Sequence, residues 1–401
     1  MTGDYPVFGT HDANTLSQMA AIAARPETVR AALMADGHLG YEMPIGGVAA
    51  FRGHVPVAGV GFDIACGNCA ALTDLRAHDL THDDLGLIGD EIQRVVSFGV
   101  GRTNPADDAP MDDPLFDASS WRVMPEIRRE ELRQKARHQL GTVGSGNHYV
   151  DVLADEAGRI WVGVHFGSRG LGHSIASDFL ALSAGRSWGD RVPEHLGMLD
   201  LAAPIGTDYW ELMTLAGEYA HVGREWVVEK VVGILGGHIT DKVHNHHNFG
   251  WREEHGGESL IVVRKGATPA FPGQRGFVGG SMGDDAVILR GAPASSASET
   301  ALFSTVHGAG RVMSRTEARG KVNRKTGAVI RPGKVTQEML TDWLGPRGVV
   351  LRGGGLDEAP QAYRRLPDVL AAQGETVVVE HTLTPVVVVM AGANEFDPYK
   401  D

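Results

Sequence analysis

Short apolar and β-branched runs recur at residues 48–51, 55–60, 148–153, 159–166, 260–264, 286–289, 349–351, 376–379 and 386–389, with helical stretches between some of them and not others. Runs of this length and composition read as strands. Because they do not alternate strictly with helices, the pattern favours an α+β fold over a doubly wound parallel sheet. The turn Asp155-Glu156-Ala157-Gly158 makes a hairpin of the third and fourth runs. Helices are expected over 15–24, closed by Arg25-Pro26, in a second short segment reaching Met34, over 81–96 and over the charged stretch 126–140. A fifth, long and amphipathic, should run from a capping-box-like Asp208/Glu211 start to Gly236-Gly237. Residues 105–114, with four aspartates, read as a polar loop. The 53 glycines, well above the usual share of about 7%, imply many tight turns. No internal repeat or linker divides the chain, so one large mixed domain over 1–401 is expected, its glycine-rich loops gathered around a central cleft.

The formal net charge of -13 argues against a general nucleic-acid binder. Its distribution tells more. Residues 311–334 carry Arg311, Arg315, Arg319, Lys321, Arg324, Lys325, Arg331 and Lys334 against the single acid Glu317. Such a run is either a solvated loop or a track for a polyanion. No apolar run reaches the length of a membrane span, and Met1-Thr2-Gly3-Asp4 lacks the layout of a signal peptide, so the chain reads as cytoplasmic with no membrane partner.

The basic run begins at Ser304-Thr305-Val306-His307-Gly308-Ala309-Gly310-Arg311. Glycines directly behind a histidine let the main chain approach an anion closely, and the following segment reads as helix, whose N-terminus adds unpaired donors. That makes His307 a candidate nucleophile beside a phosphate seat, although glycine-flanked histidines are also ordinary turn residues. Elsewhere, Cys66 and Cys69 are the only cysteines, which excludes a disulfide framework and lacks the second pair of a structural zinc site. Asp63 and Cys66 share a glycine-bounded turn; burial alone is enough to explain Cys69. Three further segments, 144–148, 163–170 and 244–248, each present histidine at a strand or helix end. Carboxylate, thiolate and imidazole are the ligand set of a transition-metal site, and a thiolate able to bridge admits two metals, which suits phosphoryl chemistry.

Taken together, these residues resemble the RtcB-type RNA ligases, from Asp36-Gly37-His38 to the C-terminal strands. The similarity is carried by Pro44-Ile45-Gly46-Gly47-Val48, Asp63-Ile64-Ala65-Cys66-Gly67, Gly144-Ser145-Gly146-Asn147-His148 and Gly167-Ser168-Arg169-Gly170. It continues through His246-His247-Asn248, Arg264-Lys265-Gly266-Ala267, Gly280-Ser281-Met282-Gly283, His307-Gly308-Ala309-Gly310-Arg311 and Asp357-Glu358-Ala359-Pro360. The resemblance implies a GTP- and manganese-dependent ligase that joins RNA 2′,3′-cyclic phosphate or 3′-phosphate ends to 5′-hydroxyl ends through a histidine–GMP intermediate, in tRNA splicing or RNA repair. It implies two Mn2+ bridged by Cys66, with Asp63 and His148 at one and His165 and His247 at the other, and His307 as nucleophile. Asn147, Asp151, Ser281, Gly308, Ala309, Gly310 and Tyr363 would contact the nucleotide, Tyr363 by stacking on guanine. Arg169 and Arg311 would contact RNA phosphate or triphosphate, and the resemblance leaves room for an activating protein.

Three positions depart from the family pattern. Asp151 stands where a longer Glu is usual, Gly279 replaces a common Pro, and the last strand reads Val389-Met390-Ala391-Gly392 where a Lys-Gly that reaches the base is typical. A lost charged hydrogen bond in a closed pocket is worth about 1.5–3 kcal/mol, so these departures bear on guanine selectivity and leave the metal and nucleophile residues intact. Two other readings of the residues are a metal-dependent phosphoesterase or cyclic phosphodiesterase and a non-catalytic RNA-end-binding protein.

Overall fold

The computed structural model describes residues 5–193, 195–322, 326, 329–393 and 395. Seven strands form the main path of the largest sheet, in the order Arg275–Val278, Ala286–Gly291, Val377–Gly392, Tyr149–Asp155, Arg159–Phe166, Gly67–Arg76 and Ile239–His246. These pair antiparallel, and Val350–Gly354 adds a parallel partner to Val377–Gly392. The outer strands nearly meet. Asn68 Nδ2 donates to Phe277 O at 2.9 Å, and Asn245 Oδ1 accepts from Phe277 N at 2.9 Å, so two amide side chains bridge where a ladder would close the sheet.

A second, four-stranded antiparallel sheet runs Thr28–His38, Ile45–Phe51, Glu258–Lys265, Asn248–His255. The chain crosses from the large sheet to this one at His247, the residue between Ile239–His246 and Asn248–His255. The helix Pro204–Leu235 spans both cores. Tyr209, Leu212, Met213 and Ala216 join Phe51, Ile261 and Val263, while Val227, Val228, Val231 and Val232 join Val150, Val162 and Val164. A fully buried valine is worth about 1.5–3 kcal/mol, so this apolar stripe holds the helix to both sheets and fixes where Arg224, buried on the same helix, must lie. The architecture is α+β, as the pattern of runs implies, and among the described residues no helix is long and apolar enough to cross a membrane.

Several local expectations are corrected. The segment expected to be helical up to Met34 is the strand Thr28–His38, with Ala31–Gly37 all buried. Its alanines, Leu33 and Met34 favour helix locally, but pairing with Ile45–Phe51 inside a covered sheet overrides that weak preference. Residues 55–60 split into the end of strand His54–Pro56 and one helical turn, Val57–Val60. The long helix starts at Pro204, whose fixed φ suits the first helical position, and not at Asp208. The runs at 376–379 and 386–389 belong to one 16-residue strand, irregular at Pro385, which has no N–H to give a ladder.

Candidate active site and metal centre

Four neighbouring strands of the large sheet bring chemistry-bearing residues to one end. Cys66 precedes Gly67–Arg76, His148 precedes Tyr149–Asp155, His165 lies one residue from the end of Arg159–Phe166, and His247 follows Ile239–His246. Register makes them level, since Asn68 faces both His165 and Asn245 and Tyr149 faces His165. Cys66 Sγ lies 3.3 Å from His165 Nε2 and 3.6 Å from His148 Nε2, and His165 Nε2 lies 3.3 Å from His247 Nε2. Asp63 Oδ2 is 3.1 Å from His148 Nε2. The donors fall into two groups of three that share Cys66, one with Asp63 and His148 and the other with His165 and His247.

Donors bound to a first-row ion at about 2.0–2.3 Å around a tetrahedral centre stand roughly 3.3–3.7 Å apart. Three of the four spacings fall in that range and Asp63–His148, at 3.1 Å, is slightly shorter; the mixed thiolate, imidazole and carboxylate set suits a transition metal. His165 Nδ1 faces Asn147 O at 2.9 Å, which places the ring proton there and leaves Nε2 as a lone-pair donor. Burial pushes the His165 and His247 imidazoles well below 6.5, keeping them neutral. Burial, reinforced by Asp63, pushes the Cys66 thiol well up, so a cation is what would ionise it. The surrounding glycines are spacers: a Cβ on Gly144 would stand 2.1 Å from His148 Nδ1, and one on Gly167 2.2 Å from Asp63 Oδ1.

His307 lies beside this cluster, its ring centroid 4.9 Å from that of His247. The strand Ser304–Val306, paired with Ala267–Pro269, delivers it. Its Nδ1 faces Oδ2 of the fully buried Asp36 at 2.6 Å, which leaves Nε2 as the uncommitted ring nitrogen. The same oxygen accepts from His307 N at 2.9 Å and Gly308 N at 3.2 Å. Burial would raise the Asp36 carboxyl, but the charge and hydrogen bonds of His307 outweigh it and hold the group below its ordinary value. The helix expected directly behind the glycines is corrected here. Those two amides serve Asp36, and no helix opens behind the glycines, because Gly310 adopts φ +73 and Arg311 bridges to Tyr363. The helix begins later, at Arg315–Arg319, capped by Ser314.

A cavity of about 820 Å³ holds all five metal-ligand candidates, His307, Asn147, Asp151, Ser281, Gly308, Ala309, Gly310, Tyr363 and Arg311 on its wall. Arg169 is not part of that wall; its guanidinium donates to Gly99 O at 2.8 Å and Thr142 Oγ1 at 3.3 Å, and its charge helps hold the Asp63 carboxyl low. Arg311 donates to Glu358 Oε2 at 3.1 Å, Tyr363 Oη at 2.8 Å and Asp357 O at 2.7 Å, and its guanidinium lies over the Tyr363 ring at 4.9 Å. Tyr363 also donates to Glu358, and Arg315 pairs with the other oxygen of that carboxylate at 2.8 Å. Two arginines of the basic run therefore turn inward; Arg324 and Lys325 lie outside the described residues. Burial keeps the Asp151 carboxyl well above the usual range, and among the described residues neither its Oδ1 nor Tyr149 Oη has a hydrogen-bond partner. Ser281 donates to Asp284.

The family model described as tRNA-splicing ligase RtcB matches residues 18–391. The chain belongs to the RtcB family. It is similar to the RNA-splicing ligase RtcB of Escherichia coli K12, 34% identical over 387 residues and 89% of each chain. The tRNA-splicing ligases RtcB of Archaeoglobus fulgidus and Thermococcus kodakarensis are 33% and 31% identical, each alignment covering 89% of this chain and 86% of the relative. Family membership thus spans nearly all the elements that shape the cavity.

Sequence reading assigned no role to Asp36, which meets His307 across 271 positions, or to Glu358, which ties Arg311, Arg315 and Tyr363 together. Asp36 opens the stretch that resembles the family, but nothing local ties it to His307. Arg224 did carry a local signal: a charged residue at helical spacing among Ala220, Val227, Val228 and Val231 stands on a buried stripe and needs buried partners.

Proposed function

We propose that this chain joins RNA 3′-phosphate or 2′,3′-cyclic phosphate ends to 5′-hydroxyl ends, with GTP as co-substrate and His307 as the covalent nucleotide carrier. The observation that carries the reading is the placement of His307: Nδ1 turned onto buried Asp36 and the ring against the Cys66–His165–His247 cluster at the wall of a nucleotide-sized cavity. Asp63, Cys66 and His148 would hold one divalent manganese ion and Cys66, His165 and His247 the other. Ions bound there would supply charge neutralisation for the phosphates in the reaction.

The protein's own groups do the rest. With Nδ1 turned onto Asp36, His307 offers Nε2 as the attacking nitrogen. A bond forms from Nε2 to the α-phosphorus of GTP, the bond from that phosphorus to the bridging oxygen breaks, and pyrophosphate leaves. The ring gains positive charge as this happens, and the buried Asp36 carboxylate is placed to stabilise it. A 2′,3′-cyclic phosphate end must first be opened by water to a 3′-phosphate; an oxygen of that 3′-phosphate then attacks the guanylate phosphorus, the P–Nε2 bond to His307 breaks, and the 5′-hydroxyl oxygen attacks the RNA phosphorus, losing its proton as GMP leaves. Asp151, Ser281 and Asn147, which line the cavity, would contact the nucleotide, and Arg311 braces Tyr363 on the same wall. The names of the curated relatives, which are RNA-splicing and tRNA-splicing ligases, support ligation as the reaction class.

The test uses purified protein, manganese, GTP and two RNA oligonucleotides, one ending in a 3′-phosphate and one beginning with a 5′-hydroxyl. A joined product that vanishes in His307→Ala is expected. Loss of the 3′-phosphate without joining, at equal rates in wild type and His307→Ala, would instead establish a phosphoesterase.

A further inference from the structure

Arg224 is fully buried in the middle of the Pro204–Leu235 helix, yet among the described residues no carboxylate hydrogen-bonds to it. Four of the five N–H groups of its guanidinium are spent on the backs of the segments that carry the metal-ligand candidates. Nη1 donates to Ala65 O at 2.9 Å and to Phe166 O at 2.5 Å, the carbonyls next to Cys66 and His165. Nη2 meets His246 Nδ1 at 2.7 Å, one residue before His247, and Nε donates to His244 Nε2 at 2.7 Å. Arginine is the side chain suited to this, because its planar fork presents several donors at fixed angles.

We propose that Arg224 is a positioning residue of the metal centre, a clamp that holds the Cys66 turn, the His165 strand and the His247 crossover at the mutual spacing a metal requires. This rests on the ligand assignment of the preceding section. The segment in most need of a clamp is the Cys66 turn. Ala65 adopts φ +58, a left-handed conformation that disfavours a residue with a Cβ, and it is the carbonyl of this residue that Arg224 grips. Its amide is held from the other side, donating to Asn248 O at 2.7 Å, and His247 N donates to Cys66 O at 2.8 Å. Cys66 and His247 are thus tied to each other directly, and Arg224 ties both to the His165 strand.

The residues behind the clamp serve its orientation. His244 accepts from Arg224 through Nε2, so its Nδ1 carries the proton and faces Glu225 Oε1 at 3.3 Å. Glu225 is in turn paired with Lys242. Cys69, Glu225 and His244 come close enough together to resemble a third metal-binding group. Both nitrogens of His244 are already engaged and Glu225 has its cation, so this cluster braces Arg224 and leaves the metal to Cys66 and its partners.

Cobalt(II) is the probe, because a cobalt–thiolate bond gives a charge-transfer absorption that reports both occupancy and geometry without turnover. Metal-free wild type, Cys66→Ala, Arg224→Lys and His246→Phe are titrated with cobalt chloride, and the melting temperature of each is recorded. Arg224→Lys, which keeps the charge and loses the fork, is expected to bind cobalt roughly 10–100-fold more weakly, the usual cost of losing an outer-sphere partner, with an altered thiolate band. Wild-type affinity and an unaltered band in folded Arg224→Lys would overturn the clamp, whatever its melting temperature, since a merely structural arginine moves only the latter. If Arg224→Lys does not fold, His246→Phe decides: it removes one anchor of the clamp and keeps a ring against Phe249. Weaker cobalt binding upholds the proposal, and wild-type affinity ends it. A wild type with no thiolate band, or one unchanged by Cys66→Ala, refutes the ligand assignment itself.

Discussion

Replacing Asp36 by asparagine separates charge from orientation at the nucleophile. Oδ2 of Asp36 lies 2.6 Å from His307 Nδ1 and accepts hydrogen bonds from His307 N at 2.9 Å and Gly308 N at 3.2 Å. Two backbone N–H groups exclude an amide NH2 from that position, so the side chain introduced by Asp36→Asn would turn its oxygen there and still hold the Nδ1 proton. The ring keeps its tautomer, and only charge assistance is lost. A hydrogen bond to a charged group contributes about 1.5–3 kcal/mol against roughly 0.5–1.5 for a neutral one. The difference of roughly 1–2 kcal/mol corresponds to a 5- to 30-fold slower step. The NH2 would occupy the place of Oδ1, which is buried and has no partner among the described residues, costing a further ~1–3 kcal/mol of stability. Asp36→Ala removes orientation as well and is expected to be slower by a much larger factor. Single-turnover transfer of α-labelled GTP to the protein measures both, with melting curves recorded alongside. A wild-type rate in Asp36→Asn, or a folded Asp36→Asn as inactive as Asp36→Ala, would show that Asp36 does not act on His307 in this way.

Other outcomes follow from particular contacts. A Cβ on Gly279 would stand 2.1 Å from Tyr149 Oη, so Gly279→Ala is expected to cost about 1–3 kcal/mol by overpacking; the cost should shrink in a Tyr149→Phe background, and strict additivity in the double-mutant cycle would refute the contact. Burial would raise the Glu358 carboxyl, but Arg315 and Arg311 hold it below its ordinary 4.5. Its stabilising contribution is therefore complete above about pH 4.5 and lost as pH falls through the depressed folded value. Melting temperature should fall more steeply with acid in wild type than in Glu358→Gln, and parallel curves would contradict the pairing. Manganese at a hundredfold excess over its dissociation constant should stabilise wild type by about 2.7 kcal/mol and leave Cys66→Ala unmoved; equal shifts in both would place the ion elsewhere.

What could be read without coordinates depended on how local the cause was. The hairpin of Tyr149–Asp155 and Arg159–Phe166 declares itself through β-branched residues flanking a four-residue turn, and the helix His82–Val95 through the helical spacing of its apolar residues; its Thr81/Asp84 capping box emerges in the structure. Thr28–His38 could not be read, because its helix-forming residues become a strand only when Ile45–Phe51 pairs alongside and both faces are covered. Single donors such as His148 and His165 stand out as histidines at glycine-flanked junctions. That they converge is a matter of sheet register, which no short window of sequence contains. The inward turn of Arg311 and Arg315 has the same origin, since Glu358 lies 47 and 43 positions away. A basic run that reads as either a solvated loop or a polyanion track therefore has its first two charges committed to the protein.

Intact-mass analysis of the protein after incubation with manganese and GTP tests the role of His307 most directly. Wild type is expected to gain the mass of one GMP through an acid-labile, alkali-stable bond, and His307→Ala to gain none while remaining folded. A GMP adduct that persists in His307→Ala would contradict it.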